Sequence, residues 1–132
     1  MDRKITIQAV DQRMAICRLP MDKPIPEWVY GEGFWSVTRT DEECSVVCDE
    51  QQLPDEIEAE RNWLALKVKG PLDFFLTGIL SSLLDPLAGA GISVFALSTY
   101  NTDYLLIKAD RYGEALSVLA PFCTIEENTP FE

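Results

Sequence analysis

Histidine is absent from the 132-residue sequence. This absence removes the commonest general base, the usual partner of a serine or cysteine nucleophile, and the commonest zinc ligand. HExxH, GxSxG, P-loop and GxGxxG motifs are missing as well, and so is the EF-hand spacing of acids around a glycine. We therefore expect no enzyme activity, no cofactor and no metal ion. Carboxylate catalysis by Asp103 or Glu43 is the weaker alternative.

Long apolar runs and an excess of basic residues are missing too. No run approaches the ~20 residues that span a bilayer, and the first residues lack the apolar centre of a signal peptide. The 22 acidic and 11 basic residues give a net charge of −11, which repels phosphate backbones and anionic lipids. We expect a cytoplasmic protein that binds neither nucleic acid nor membrane. With 47% apolar residues the chain can build a folded core.

The four cysteines form no CxxC pair of the zinc or thioredoxin kind. They lie in apolar or alternating segments, which favours buried, reduced thiols. A disulfide between Cys44 and Cys48, if they share one face of a strand, is the alternative that a cytosolic chain disfavours. The two cysteines outside that possible pair are Cys17 and Cys123.

The C-terminal half predicts a complete α+β domain. Its apolar spacing indicates a strand, a helix, two strands, a helix and a strand, over residues 62–70, 76–91, 92–98, 103–109, 111–122 and 122–127. Thr77 is the predicted N-cap of the first helix, and Pro86 should kink or divide that helix. This βαββαβ order is ferredoxin-like, with an antiparallel sheet under two helices. The other sheet face should be apolar and exposed, and so should need a partner.

A degenerate internal duplication relates the two halves. Residues 34–47 share their pattern with residues 94–107 at a spacing of sixty, which sets Thr38 opposite Ser98 and Glu43 opposite Asp103. We predict two tandem halves, a degenerate N-terminal one over 1–61 and a C-terminal one over 62–132. In the first half the segment 24–31 leaves room for only a short helix, and a hairpin over 5–20 should compensate.

The first helix begins with a candidate anion site. Backbone amides near Thr77, Gly78 and Ile79 lie at a predicted helix N-terminus, where unpaired N–H groups and the positive end of the dipole favour a carboxylate. This turn and the loop 98–103 should emerge at the same edge of the sheet. The pair would then suit an α-amino acid.

The loop "STYNTD" supplies the complementary charge. Asp103, with the hydroxyls of Ser98 and Thr99, could face an ammonium group. The alternative is that these residues only form the turn, since Ser, Thr, Asn and Asp side chains often bond their own backbone. Tyr100 is then a packing residue or an exposed aromatic.

Two stretches, 33–48 and 68–108, carry a resemblance to a known family. With the motifs "GPLDF", "TGIL", "GIS" and "STYNTDYLLIK", the sequence resembles the small tandem ACT-domain proteins, which are related to the CASTOR arginine sensors and to the ACT modules of aspartate kinases. The likeness runs from about residue 13 to the last helix. The motifs are specific when they occur together.

The resemblance implies a ligand site at the seam between paired ACT modules. It nominates the helix start and the loop described above, and across the seam two residues of "CSVV"; together these are Thr77, Gly78, Ile79, Ser98, Thr99, Tyr100, Asp103, Ser45 and Val46. The arginine sensors carry a further acid where this chain has Phe75 or Leu76, which favours a smaller or more apolar amino acid.

The function that follows is a regulatory module that binds a free amino acid and signals through altered association. We expect a homodimer and a partner protein whose identity the sequence does not give. The alternative is an interaction module whose ligand site has decayed, and which dimerises or docks on an enzyme.

Overall fold

The computed structural model describes residues 5–69 and 78–129. Seven strands and two α-helices lie in these ranges: β1 Ile5–Leu19, β2 Ser36–Arg39, β3 Cys44–Asp49, β4 Ala59–Val68, α1 Ile79–Gly89, β5 Phe95–Ser98, β6 Asp103–Lys108, α2 Ala109–Leu119 and β7 Cys123–Thr129. From β4 onward the order is βαββαβ, so the predicted α+β, ferredoxin-like fold is confirmed. No helix in the described ranges is long and apolar enough to cross a membrane.

The chain forms two compact units. Of the described residues, the large unit contains those up to Asp11 and those from Leu64 to Thr129, and the small unit contains Gln12–Trp63. The units change over between Trp63 and Leu64, whereas we predict a division after residue 61, and the first strand begins in the large unit. The division into two ACT-like halves stays a prediction.

The N-terminal strand differs from expectation. β1 is one strand from Ile5 to Leu19, so the hairpin predicted over 5–20 is wrong. The stretch between its two parts contains no glycine, proline or asparagine to turn the chain. β1 instead pairs in parallel with β7 through Ile5–Gln8 and antiparallel with β3 through Met14–Leu19.

In the large unit the strand order is β7-β1-β4-β6-β5. β1 thus lies between the first and last strands of the ferredoxin-like order. The core under the two helices includes Leu83 and Leu87 from α1 and Leu105 and Ile107 from β6, all fully buried. Leu83 and Leu87 are one helical turn apart, which sets one face of α1 on the sheet.

Two expectations for the large unit are corrected. α1 continues through Pro86 to Gly89, so the proline does not divide the helix. It lies in the last turns, where the missing N–H removes one backbone bond. On the sheet face opposite the helices, Tyr104 and Leu106 are also buried, so β6 does not offer the exposed apolar face that we predict.

In the small unit β2 and β3 form an antiparallel hairpin, and β3 pairs with β1. Within residues 24–31 the chain forms a three-residue 3-10 turn, Glu27–Val29, so only a short helical element is present there, as predicted. The core of the small unit packs Ala15, Val29 and Val46 with buried thiols.

All four cysteines are buried free thiols, as predicted. Cys44 and Cys48 share a face of β3 but stand four residues apart, roughly 13 Å along a strand, too far for a disulfide. Cys17 lies diagonally opposite Cys48. A thiol hydrogen bond with Cys48 lowers the pKa of Cys17, while the same bond and burial raise the pKa of Cys48.

Candidate ligand site

The two hairpins carry loops with the same hydrogen bonds. In the β5–β6 loop, Thr99 N donates to Thr102 O at 2.8 Å, and Thr102 N donates to Thr99 Oγ1 at 3.3 Å. In the β2–β3 loop, Thr40 N donates to Glu43 O at 2.9 Å, and Glu43 N donates to Thr40 Oγ1 at 3.1 Å. Each loop is therefore a four-residue turn fixed by its leading threonine.

The shared loop corrects the predicted alignment. Since the two leading threonines are fifty-nine positions apart, Asp103 corresponds to Cys44. The matches made at a spacing of sixty, Glu43 with Asp103 and Thr38 with Ser98, are wrong by one residue. The first hairpin has no acid at the position of Asp103.

Asp103 begins β6 on the face that the helices cover. It is half-buried, pairs with Ser98 across the hairpin, and accepts a hydrogen bond from the Ser98 hydroxyl. Strand alternation places it on the same face as Leu105 and Ile107, which belong to the core under α1 and α2. Its carboxylate is thus oriented at the end of the helix-covered face.

Thr102 ties the loop to the end of β4. Its side chain is only 6% exposed, and its hydroxyl donates to the carbonyl oxygen of Val68, the last residue of that strand. The connection from β4 to α1 starts at this point. The loop and the end of β4 therefore lie at the same edge of the sheet, as predicted; most of the strand-to-helix turn lies outside the described residues.

The helix start is described from Gly78. Gly78 occupies the N-cap position of α1 with φ of +83°, a conformation that glycine adopts without a steric penalty. It has no side chain with which to cap the first-turn amides. Ile79 is the first helical residue and is half-buried. Thr77, the predicted N-cap, lies outside the described residues.

Thr99 and Tyr100 bear on whether the loop only forms a turn or also binds a ligand. Thr99 bonds within its own loop, and so it is at least a turn former. Tyr100 is 81% exposed and therefore is not a core residue. Tyr104, by contrast, is a core residue behind the loop, and burial raises the pKa of its phenol.

The remaining predicted residues belong to the small unit. Ser45 is half-buried on β3, opposite Arg18 and Thr38. It lines an open groove of about 370 Å³ whose other lining residues are Ile16, Cys17, Arg18, Glu43, Glu58, Ala59 and Glu60. Val46 is fully buried in the core of the small unit, main chain included, so the structure does not expose it to a ligand.

A comparison with protein-family models identifies the family of the chain. Residues 58–121, from the start of β4 to the end of α2, match the family model of the ACT domain. The chain is an ACT-domain protein. A second family model, of an N-terminal domain, matches residues 12–56 of this ACT-domain protein, which all lie in the small unit.

Solved structures share the fold of the chain. The ACT-domain protein is 31% identical to the crystal structure of protein Atu0741 from Agobacterium tumefaciens, with a TM-score of 0.90 over 99% of this chain and 98% of the other. It shares its fold with the ligand-free regulatory subunit of aspartate kinase from Thermus thermophilus, at a TM-score of 0.59 and 10% identity over 90% of this chain and 95% of the other.

A curated relative carries a functional name. The cytosolic arginine sensor for mTORC1 subunit 1 from Bos taurus is 34% identical to the ACT-domain protein over 98 residues, which are 66% of this chain and 30% of the sensor. The chain spans about half, or less, of the length of the curated relatives it matches.

Thr102 is the residue of this site that sequence reasoning misses. It is in alternation with Tyr104 and Leu106, so it lies on the sheet face opposite Asp103. A threonine that continues an apolar alternation is the signal that could have found it. Its hydroxyl contact with another strand depends on the sheet order, which no local pattern gives.

We expect Thr102→Val to lower the free energy of unfolding by about 1–2 kcal/mol, because the buried carbonyl of Val68 loses its donor. Urea unfolding of the purified protein measures the change. Thr124→Val, at an exposed threonine on β7 of the same unit, is the matched control and should change stability by less than about 0.5 kcal/mol. Equal losses in the two variants would contradict the anchoring role of Thr102.

Proposed function

We propose that this ACT-domain protein is a non-catalytic regulatory module that binds a free α-amino acid beside the loop 98–103 and reports occupancy through altered association. The observation that carries the proposal is Asp103, half-buried, held by Ser98 and placed on the face that α1 covers. A carboxylate in that setting suits an ammonium group, since charge-assisted hydrogen bonds are about twice as strong as neutral ones.

The start of α1 supplies the opposite charge. Amides of its first turn follow a glycine that cannot cap them, and the dipole favours an anion there. In the proposal the amino acid's carboxylate binds at Thr77, Gly78 and Ile79, and its ammonium group binds at Asp103. The loop residues Ser98, Thr99 and Tyr100 then border the ligand.

Ser45 and Val46 stay a prediction that comes from the resemblance alone. Ser45 is the better candidate of the two, because its side chain is half-buried and borders an open groove. Val46 is the weaker candidate, since the whole residue is fully buried.

The sequence just before α1 bears on the size of the ligand. A buried guanidinium without a second carboxylate is costly. Phe75 and Leu76 are apolar where the resemblance implies an acid in the arginine sensors. A smaller or more apolar amino acid than arginine is the ligand class of the proposal.

The relatives support the same reading. One is named a cytosolic arginine sensor, and another is the regulatory subunit of an amino-acid kinase. We extend to this chain a cytoplasmic location, a homodimer and a partner protein that responds to occupancy. A ligand shifts association only by its differential affinity for the associated and dissociated states.

A thermal-shift screen against the twenty amino acids tests the proposal. A ligand at 100 times its dissociation constant adds about 2.7 kcal/mol to the free energy of unfolding, which raises Tm. We expect a shift with one amino acid or a few related ones, and its loss in Asp103→Ala. Asp110→Ala, which removes an exposed acid from α2 of the same unit, is the matched control and should keep the shift.

Two results would contradict ligand binding at this loop. One is a screen without any shift, and the other is a shift that Asp103→Ala leaves intact. Ser98→Ala separates charge from orientation, because it keeps the carboxylate but removes its hydrogen-bond donor. We expect an intermediate loss of affinity in that variant.

An interaction module with a decayed ligand site is the second candidate. The observation that favours it is the small unit, where three residues of 3-10 turn replace a helix. Under this interpretation a partner binds the protein with equal affinity in the presence and absence of amino acids. A pull-down with a titrated amino acid distinguishes the two.

A further inference from the structure

The outer edge of β2 in the small unit is open. β2 pairs with β3 along one side, and no other described strand pairs with it. Thr40 and Glu43 are hydrogen-bonded at the turn, and hydrogen-bonded pairs recur at every second residue of an antiparallel ladder. The N–H and C=O groups of Val37 and Arg39 therefore point away from β3. Such a row of groups is a template for an added strand.

Exposed hydrophobic side chains flank both ends of this edge. Before β2, Tyr30 and Trp35 are 51% and 41% exposed and contact each other edge to face, with ring centroids 4.9 Å apart. At the other end of β2, the Arg39 guanidinium donates to the carbonyl oxygen of Met21, which is 37% exposed. An aromatic pair and a methionine beside an open strand edge are typical of a binding surface.

The charge of the surroundings selects the partner. Between residues 27 and 43 there are five exposed acids and one base. The acids are Glu27, Glu32, Asp41, Glu42 and Glu43. A second copy of this chain would bring a net charge of −11 and the same acids to the edge, which opposes self-pairing here. A cationic segment is attracted by the acids, and its Lys or Arg side chains can stack on Trp35.

We propose that the β2 edge, meaning Ser36–Arg39 with Tyr30 and Trp35, binds an extended Lys- or Arg-rich segment of a partner protein. The segment adds as a strand outside β2 through the main-chain groups of Val37 and Arg39. One of its cationic side chains lies against the Trp35 ring, and the others face the acids. This surface shares no residue with the proposed amino-acid site, although Thr38 of β2 pairs with Ser45 of β3.

Fluorescence anisotropy with three labelled peptides tests the proposal. The probe is a short peptide of alternating Lys and Val. The first comparison replaces Lys with Glu, and the second keeps Lys and Val but methylates alternate backbone nitrogens, so that charge is kept and strand addition is blocked. We expect the Lys–Val peptide to bind about tenfold or more tightly than either, and binding to weaken with salt.

Trp35→Ala tests the aromatic contact. We expect it to weaken Lys–Val binding about three- to tenfold, in line with a cation–π contact and lost apolar area. Phe122→Ala, at a 54% exposed aromatic of the large unit, is the matched control and should leave binding unchanged. The peptide series uses the unmodified protein, so it remains decisive if Trp35→Ala does not fold.

Four outcomes would overturn the proposal. If the Lys–Val peptide does not bind, the β2 edge is not a peptide-binding surface. If the Glu–Val peptide binds equally well, the β2 edge does not select cationic segments. Equal binding of the methylated peptide excludes strand addition. A change in the sedimentation of the free protein in Trp35→Ala would show instead that copies of this chain pair at the edge.

Discussion

Leu83→Ala is expected to lower the free energy of unfolding by about 3 kcal/mol. Leu83 is fully buried on α1, within the core of the large unit. Truncation removes the transfer free energy of the deleted atoms and leaves a cavity, and buried Leu→Ala changes cost about 2–5 kcal/mol. Urea unfolding, followed by circular dichroism, measures the loss from the midpoint at unchanged slope.

Leu84→Ala is the matched control. Leu84 is the next residue of the same helix and is only half-buried, so the change in helix propensity is the same and the buried area is smaller. We expect about half the loss at this position. Equal losses would mean that α1 does not present Leu83 to the sheet as described.

The same packing positions the proposed site. α1 begins at Gly78 and Ile79, and its contact with the sheet fixes where the first-turn amides lie. A destabilised α1 should therefore also weaken the amino-acid shift, whereas Asp103→Ala should abolish the shift with little effect on unfolding. The two variants separate positioning from direct contact.

The C-terminal half could be predicted because each of its helices and strands buries one face, and the buried residues repeat at the spacing typical of that element. Leu83 and Leu87 repeat at helical spacing, and Leu105 and Ile107 repeat at strand spacing, in the core where they are found. Local pattern could not give the course of β1. Ile7 of β1 packs in the core of the large unit, and Cys17 of β1 packs in the core of the small unit. Which core a residue of β1 joins depends on which strands lie beside it.

The sequence predicts that residues 98–103 form a polar loop between two strands. It does not predict which residues of the two hairpins correspond. Matching letters at a spacing of sixty placed Glu43 opposite Asp103. Hydrogen bonds set the register instead, because Thr40 and Thr99 each lead a four-residue turn. A turn is defined by the donor and acceptor it brings together, so a residue that is only similar in charge is a poor guide to its position.

Arg61→Ala is expected to lower the free energy of unfolding by about 2 kcal/mol. The half-buried guanidinium donates through Nη2 to Ile57 O at 2.9 Å and to Pro54 O at 3.1 Å. Hydrogen bonds to a charged group contribute about 1.5–3 kcal/mol. Pro54 O also accepts from Ile57 N at 3.2 Å, so the loss of the guanidinium affects Ile57 O more than Pro54 O. Urea unfolding measures the change.

Arg13→Ala provides the comparison, since Arg13 is an exposed arginine of the same unit with one contact of 3.4 Å, to Asn62 Oδ1. We expect a change below about 0.5 kcal/mol there, as for other exposed polar contacts. A lysine at position 61 should restore little of the loss, because an ammonium group lacks the planar fork of the guanidinium. Recovery of full stability in Arg61→Lys would mean that charge alone stabilises the segment 54–57, and that the paired contact with two carbonyls does not.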